Sequence, residues 1–316
     1  MSEYRAPWWL PGGHLQTIVP ALLPAPRVRY ARERWETPDG DFVDVDSAGD
    51  RRARRLLVLF HGLEGSSMSR YARALAAQAA AAGWGFAVPH FRGCSGALNR
   101  LPRAYHSGDS DELDWMLRRF AERRVEVHAV GVSLGGNVLL KWLGERGAQA
   151  GRIVRRAAAI AAPLDLPASG RALDRGLNRR LYIPVFLATL KAKAFAKIAL
   201  GQLALDRRRL ARVRTLREFD DLVTAPLHGF RDADDYWRRA SCGPWLGAIR
   251  VPTLVLNARN DPFLPAGALE QAARGASDRL VLDFQDTGGH AAFPVEPLLG
   301  HDGWMPGRVL EFLSRA

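Results

Sequence analysis

Three residues of this chain have the types and the order that nucleophilic catalysis requires: Ser133, Asp261 and His290. A serine hydroxyl attacks poorly at neutral pH, so it needs a base within hydrogen-bond reach and a carboxylate that orients the base. Ser133 lies within Gly131-Val132-Ser133-Leu134-Gly135, a G-x-S-x-G pattern. In that pattern the serine occupies a strand-to-helix turn so tight that a Cβ on either flank would collide with its neighbours. A glycine-rich turn before a helix can also cradle a phosphate. The dinucleotide pattern G-x-G-x-x-G and the G-K-[ST] ending of a P-loop are both absent, so the nucleophile reading is favoured.

Such a serine needs a strand before it and a helix after it. Val127, Ala129, Val130 and Val132 form a short apolar run suited to a buried strand, and Leu134, Val138, Leu139 and Trp142 repeat at helical spacing. Asp261 follows the predicted strand Thr253 to Leu256, and His290 follows the strand Leu280 to Phe284. Asp283 and Asp286 are nearer to His290 along the chain, but one lies inside a predicted strand and the other in the histidine's own loop. Asp261 is therefore preferred as the acid. An oxyanion needs two N–H donors: Leu134, directly after the serine, supplies one, and Leu63 in His61-Gly62-Leu63-Glu64-Gly65 is the candidate for the other. His61 and Glu64 are expected to hold that loop in shape rather than to polarise the site. Structural roles are expected for most of His14, His90, His106, His128, His228 and His301.

The remaining elements alternate. Arg29 to Glu36 and Phe42 to Val45 flank Thr37-Pro38-Asp39-Gly40, which predicts an antiparallel strand pair. Strands follow at Leu56 to Phe60, Phe86 to Val88 and Ala157 to Ala161. Helices are expected at Tyr71 to Ala82, at Asp111 to Phe120 with Ser110 as N-cap, at Ala266 to Ala273 and from Gly307 to Arg315. This pattern calls for a mostly parallel sheet covered by helices on both faces. From 165 to 245 the alternation stops and helix-favouring residues dominate, as in Phe186 to Leu205 and Arg207 to Arg217. A helical cap inserted within a single domain spanning 1–316 is the expectation. Pro7 to Ile18 has no clear periodicity and is read as an irregular strap, with Trp8 and Trp9 packing on the core.

The composition, 47% hydrophobic and 25% charged over 316 residues, is that of a globular protein with one substantial core. No apolar run approaches the roughly 20 residues of a membrane helix, and the first residues lack a leader pattern, so a cytoplasmic protein is expected. The two cysteines, Cys94 and Cys242, have no metal-type spacing; neither a disulfide framework nor a metal site is expected. Of the net charge of +12, nearly all resides between Arg171 and Arg217, where 13 basic residues face only Asp174 and Asp206. Such a stretch could touch an anionic membrane surface, but a solvated face is the preferred reading.

Several longer motifs make the resemblance specific. GGHLQTI at Gly12 to Ile18, PDGDFVDVD at Pro38 to Asp46, HGLEGSS at His61 to Ser67 and HFRGCSG at His90 to Gly96 are joined by YHSGDSDE at Tyr105 to Glu112, GVSLGGN at Gly131 to Asn137, REFDDLVTAPLHGF at Arg217 to Phe230 and NARNDPF at Asn257 to Phe263. Over nearly its whole length the chain resembles the bacterial YheT-like α/β-hydrolases, related to eukaryotic α/β-hydrolase-domain esterases and alcohol acyltransferases. The resemblance implies an α/β-hydrolase fold, nucleophile, acid and base at Ser133, Asp261 and His290, and no cofactor. The expected function is a serine carboxylesterase acting on small or medium-chain acyl esters. The alternatives are an alcohol O-acyltransferase using the same acyl-enzyme and a catalytically inactive, membrane-associated binding protein. The expected partner is a small-molecule ester, not a nucleic acid; the sequence does not determine the oligomeric state.

Overall fold

The computed structural model describes residues 4–50, 52–123, 125–296 and 303–315. They form an eight-stranded sheet from β1 (Ala31–Glu36), β2 (Phe42–Ala48), β3 (Arg55–Phe60), β4 (Gly85–Pro89), β5 (Glu126–Val132), β6 (Arg156–Ile160), β7 (Thr253–Ala258) and β8 (Leu280–Gln285). The spatial order is β1-β2-β4-β3-β5-β6-β7-β8. β1 and β2 pair antiparallel, β2 pairs antiparallel with β4, and all later pairings are parallel.

The inner parallel strands are largely apolar on both faces because both are covered, whereas the edge strand β8 leaves Val281 and Leu282 exposed. Along β3, Leu57 and Leu59 enter one core cluster while Val58 and Phe60 enter the other, as a period of two demands. One face packs on α3 (Ser110–Ala121), α4 (Leu134–Arg146) and α12 (Ala266–Ala273), and the other on α2 (Arg70–Ala81) and α13 (Trp304–Ser314). The edge strand β1 is instead charged: Arg32 and Arg34 fork onto Asp46 and Asp44 of β2, which blunts the edge against further pairing.

Between β6 and β7 lie α5 (Leu166–Leu173), α6 (Gly176–Leu181), α7 (Ile183–Ala199), α8 (Arg207–Arg212), α9 (Leu216–Phe219), a π-helical turn at Asp220–Thr224, α10 (Ala225–Leu227) and α11 (Ala233–Ala240). These helices bury their own apolar cluster, with Leu187, Leu210, Leu216 and Phe219 at its centre.

Three expectations need correction. The opening strap contains a helix, α1 (Gly12–Leu22), and neither Trp8 nor Trp9 is a core anchor: Trp8 is 88% exposed, and Trp9 donates to Glu296 at the surface. Its periodicity misleads because the polar Gln16 is buried while Leu15 and Leu22 face outward, the reverse of a core-packed helix. Ser110 is the first helical residue of α3 rather than its cap; its hydroxyl accepts from Lys141 Nζ at 3.2 Å, and the preceding Asp109 carboxylate is held by Arg103. The last helix begins at Trp304, three residues before Gly307. Among the described residues no helix is long and apolar enough to cross a membrane.

Candidate active site

The serine turn is dictated by close packing around its glycines. A Cβ on Gly131 would lie 2.4 Å from the Gly135 carbonyl oxygen, and one on Gly135 would lie 2.3 Å from that of Phe60. With no side chain at either position, β5 runs directly into α4. Ser133 sits between them at φ 54° and ψ −120°, in the left-handed region that non-glycine residues rarely occupy. Its N–H donates to Ile160 O at 2.8 Å, so β6 carries part of the strain.

Asp261 follows β7 in a loop whose backbone satisfies one carboxylate oxygen: Phe263 N–H donates to Oδ1 at 2.8 Å. The other oxygen, Oδ2, lies 2.8 Å from His290 Nδ1, and His290 Nε2 lies 2.9 Å from Ser133 Oγ. The three side chains thus form one continuous hydrogen-bonded row. An imidazole between a carboxylate and a hydroxyl carries its proton on Nδ1, leaving Nε2 free to accept from the serine. The Asp261 side chain is fully buried, and the Phe263 ring covers the imidazole with centroids 4.2 Å apart. Asp283 pairs with Arg308, and the exposed Asp286 pairs with Arg259; both are engaged elsewhere.

The loops bearing Asp261 and His290 are pinned by α1, a role the sequence reading missed. Gln16 Oε1 accepts from Asn260 Nδ2 and from Gly288 N–H, each at 2.9 Å. Thr17 Oγ1 accepts from His290 N–H at 2.8 Å and donates to Gly13 O at 2.7 Å. Asn260 Oδ1 accepts from Gly289 N–H at 3.1 Å and so ties the loop of Asp261 to that of His290. The contact is tight, since a Cβ on Gly13 would overlap the Asn260 carbonyl at 1.8 Å. The only signal in the sequence was the specificity of GGHLQTI itself.

The loop after β3 comes close to the serine: a Cβ on Gly62 would be 3.2 Å from Ser133 Cβ. Gly62 N–H donates to Tyr71 Oη and Glu64 N–H to Tyr105 Oη, each at 2.9 Å. Among the described residues the Leu63 N–H between them has no protein acceptor. Leu134 opens α4, so its N–H is one of the orphan donors of a helix N-terminus. His61 holds the loop as expected: Nδ1 donates to Gly62 O at 2.8 Å, Nε2 accepts from Phe91 N–H at 3.1 Å, and burial pushes its pKa down to about 3. Glu64 ties the loop to α7, accepting from Lys193 Nζ at 2.8 Å and Tyr105 Oη at 2.7 Å.

Among the other histidines, His14 stacks on Tyr182, and His90 bridges Asp44 O and Ser67 N–H. His128 contacts Glu126, and His106 and His228 pack against each other at 4.5 Å. His301 lies outside the described residues.

Ser133, Leu63, Leu134 and His290 open into a cavity of about 170 Å³. Its far wall comes from the helices between β6 and β7, chiefly Leu173, Phe186, Leu190, Phe219 and Val223. Asp220 of the π-helical turn is the acidic group on that wall; it accepts from Thr224 Oγ1 at 2.6 Å and Trp237 Nε1 at 2.8 Å. Burial raises its pKa to about 7. Among the described residues no group of three or more His, Cys, Asp or Glu is arranged to hold a metal ion.

Residues 55–297 match the family model described as alpha/beta hydrolase fold. The chain is 38% identical over 310 residues to an Escherichia coli (strain K12) protein named "Putative esterase YheT", covering 95% of this chain and 90% of that one. It is 26% identical to human "Phospholipase ABHD3", covering 92% and 74% of the two chains. It is 27% identical to the Saccharomyces cerevisiae "Medium-chain fatty acid ethyl ester synthase/esterase 2", covering 92% and 66%. Among solved structures, the Pyrococcus furiosus esterase Pf2001 superposes with a TM-score of 0.58 at 16% identity, covering 93% of this chain and 97% of that one. With the sheet order, the elbow and these matches together, the chain belongs to the α/β-hydrolase family, in its YheT-like branch.

Proposed function

We propose that this protein is a serine carboxylesterase that hydrolyses small or medium-chain acyl esters. The observation that carries the reading is the row Asp261–His290–Ser133, with contacts of 2.8 and 2.9 Å, ending at the mouth of an apolar cavity. Ser133 Oγ attacks the ester carbonyl carbon as His290 Nε2 takes its proton. The tetrahedral oxyanion is received by the N–H groups of Leu63 and Leu134. Collapse expels the alcohol, which leaves with the proton from His290, and the acyl-enzyme remains. Water, deprotonated by the same nitrogen, then releases the acid and restores Ser133. Asp261 stays ionised throughout and keeps the imidazole in the tautomer this requires.

The helices of residues 165–245 act as the cap: they close the cavity opposite the serine, and their aliphatic lining suits an acyl chain. One observation favours a second reading, since a yeast relative is named as both an ethyl ester synthase and an esterase. The same acyl-enzyme would then be intercepted by an alcohol instead of water. A panel of nitrophenyl esters of rising chain length, with and without ethanol, tests both readings on wild type and Ser133→Ala. Loss of turnover in the variant and free acid as product are expected. Ethyl ester as the main product would favour transfer, and full activity in Ser133→Ala would remove the serine from its role.

A further inference from the structure

The two consecutive helices α6 and α7 form a nearly continuous strap, because Tyr182 N–H donates to Asn178 O at 2.9 Å and Phe186 N–H to Tyr182 O at 3.1 Å. Residues four apart therefore share a face. Asn178, Tyr182 and Phe186 face inward: Asn178 Nδ2 donates to Pro262 O at 2.6 Å, and Tyr182 and Phe186 pack on Phe263 at 4.6 and 6.2 Å, the ring that covers His290. One residue earlier in each turn, Leu177, Leu181 and Val185 point to solvent, and Val185 is 65% exposed. A folded surface does not ordinarily line up aliphatic side chains in this way.

Basic groups gather beside them. Leu177, Arg179, Arg180 and Pro184 line one surface depression together with Arg214, which arrives from the segment between α8 and α9. Among the described residues no carboxylate forms an ion pair with Arg179, Arg180 or Arg214. The nearby acids are committed to backbone: Asp174 accepts from the N–H groups of Leu216 and Arg217, and Glu218 from that of Arg214. The His14 ring, stacked on Tyr182 at 5.8 Å, places α1 alongside the strap, and the α1 segment also exposes Trp8, Leu15 and Leu22.

We propose that the outer face of the α6–α7 strap, with the adjoining surface of α1, docks on an anionic phospholipid bilayer. Aliphatic residues at helical spacing, flanked by arginines outside any salt bridge among the described residues and by an exposed tryptophan, have the chemistry of an element lying in a membrane interface. The breadth of apolar surface across two helices fits a bilayer better than a peptide groove. Because the opposite face of the strap packs on Phe263, which covers the His290 ring, docking holds the site beneath the strap close to the membrane, where acyl esters partition. The docking itself needs no turnover and is independent of the esterase reading.

The test is co-sedimentation of the full chain, wild type and Ser133→Ala, with vesicles of phosphatidylglycerol and phosphatidylcholine or of phosphatidylcholine alone. Both proteins should bind the anionic vesicles, and raising the salt from about 0.1 to about 0.5 M should weaken binding by shortening the screening length. Arg179→Gln and Arg180→Gln should each lower binding by about fivefold. Leu177→Asp with Val185→Asp should abolish it. The arginine variants and the Leu177→Asp/Val185→Asp variant should keep their circular dichroism and their activity on a soluble short-chain ester. Equal binding to neutral and anionic vesicles, no binding at low salt, or undiminished binding by the arginine and strap variants would overturn the proposal. So would arginine-dependent binding to duplex DNA without binding to vesicles.

Discussion

The serine loop and the histidine loop meet across 2.9 Å, yet different kinds of structure hold them. Ser133 is positioned mainly by its own segment: glycines two residues to either side remove the atoms that would collide with the start of α4 and with the carbonyls that end β3. His290 is positioned by residues more than 270 places away, through Thr17 Oγ1 on its own N–H and Gln16 Oε1 on that of Gly288. The conformation of a serine on such a turn is set largely within five consecutive residues, with β3 and β6 packed close around it. A histidine that must meet it from a separate loop needs an external reference, and α1 supplies one for the loops of both Asp261 and His290.

The largest effects should come from the row of side chains itself. Ser133→Ala should lower kcat by about 10⁶-fold with an unchanged fold, and Asp261→Asn by about 10⁴-fold through the wrong imidazole tautomer; steady-state kinetics on a nitrophenyl ester measures both. Next is the local side of the comparison. Gly135→Ala forces a methyl onto the Phe60 and His61 carbonyls and should destabilise the protein by about 3 kcal/mol, read from a denaturant melt.

The remote side should respond differently. Thr17→Val removes the acceptor of His290 N–H and should lower kcat by roughly 10- to 100-fold while the melt shifts by only about 1–2 kcal/mol. An unchanged kcat would break the contrast between the two loops, because the base would then need no external support.

The smallest effect belongs to the cavity wall. Asp220 has its pKa raised from 3.8 to about 7 by burial, so the folded protein binds this proton more tightly than the unfolded chain. Its contribution to stability is present at low pH and is lost as the pH rises from about 4 through about 7. Urea melts should therefore show the stability of Asp220→Asn relative to wild type increasing as the pH rises across that window. Glu112, raised to about 7 mainly by burial and then by Asp109, tilts the curve the same way, while His61, His90, His106, His128 and His228, all lowered by burial, tilt it the other way and are common to both proteins.

The amino-acid order alone was enough to place the strands around Phe60, Val132 and Leu256, the turn that carries Ser133, and the sequence order of Asp261 and His290, because strand and helix periods and turn sterics act over a few residues. It also indicated helices between 165 and 245 from composition. It could not reveal that α1 is a helix with its polar face inward, that Asp283 and Asp286 are held by arginines, or that Leu177, Leu181 and Val185 stay in solvent. Each of these depends on what an element packs against. Hydrogen bonds between residues 16 or 17 and residues 260 to 290 leave no periodic trace along the chain, and only the closing of the tertiary structure brings those groups together.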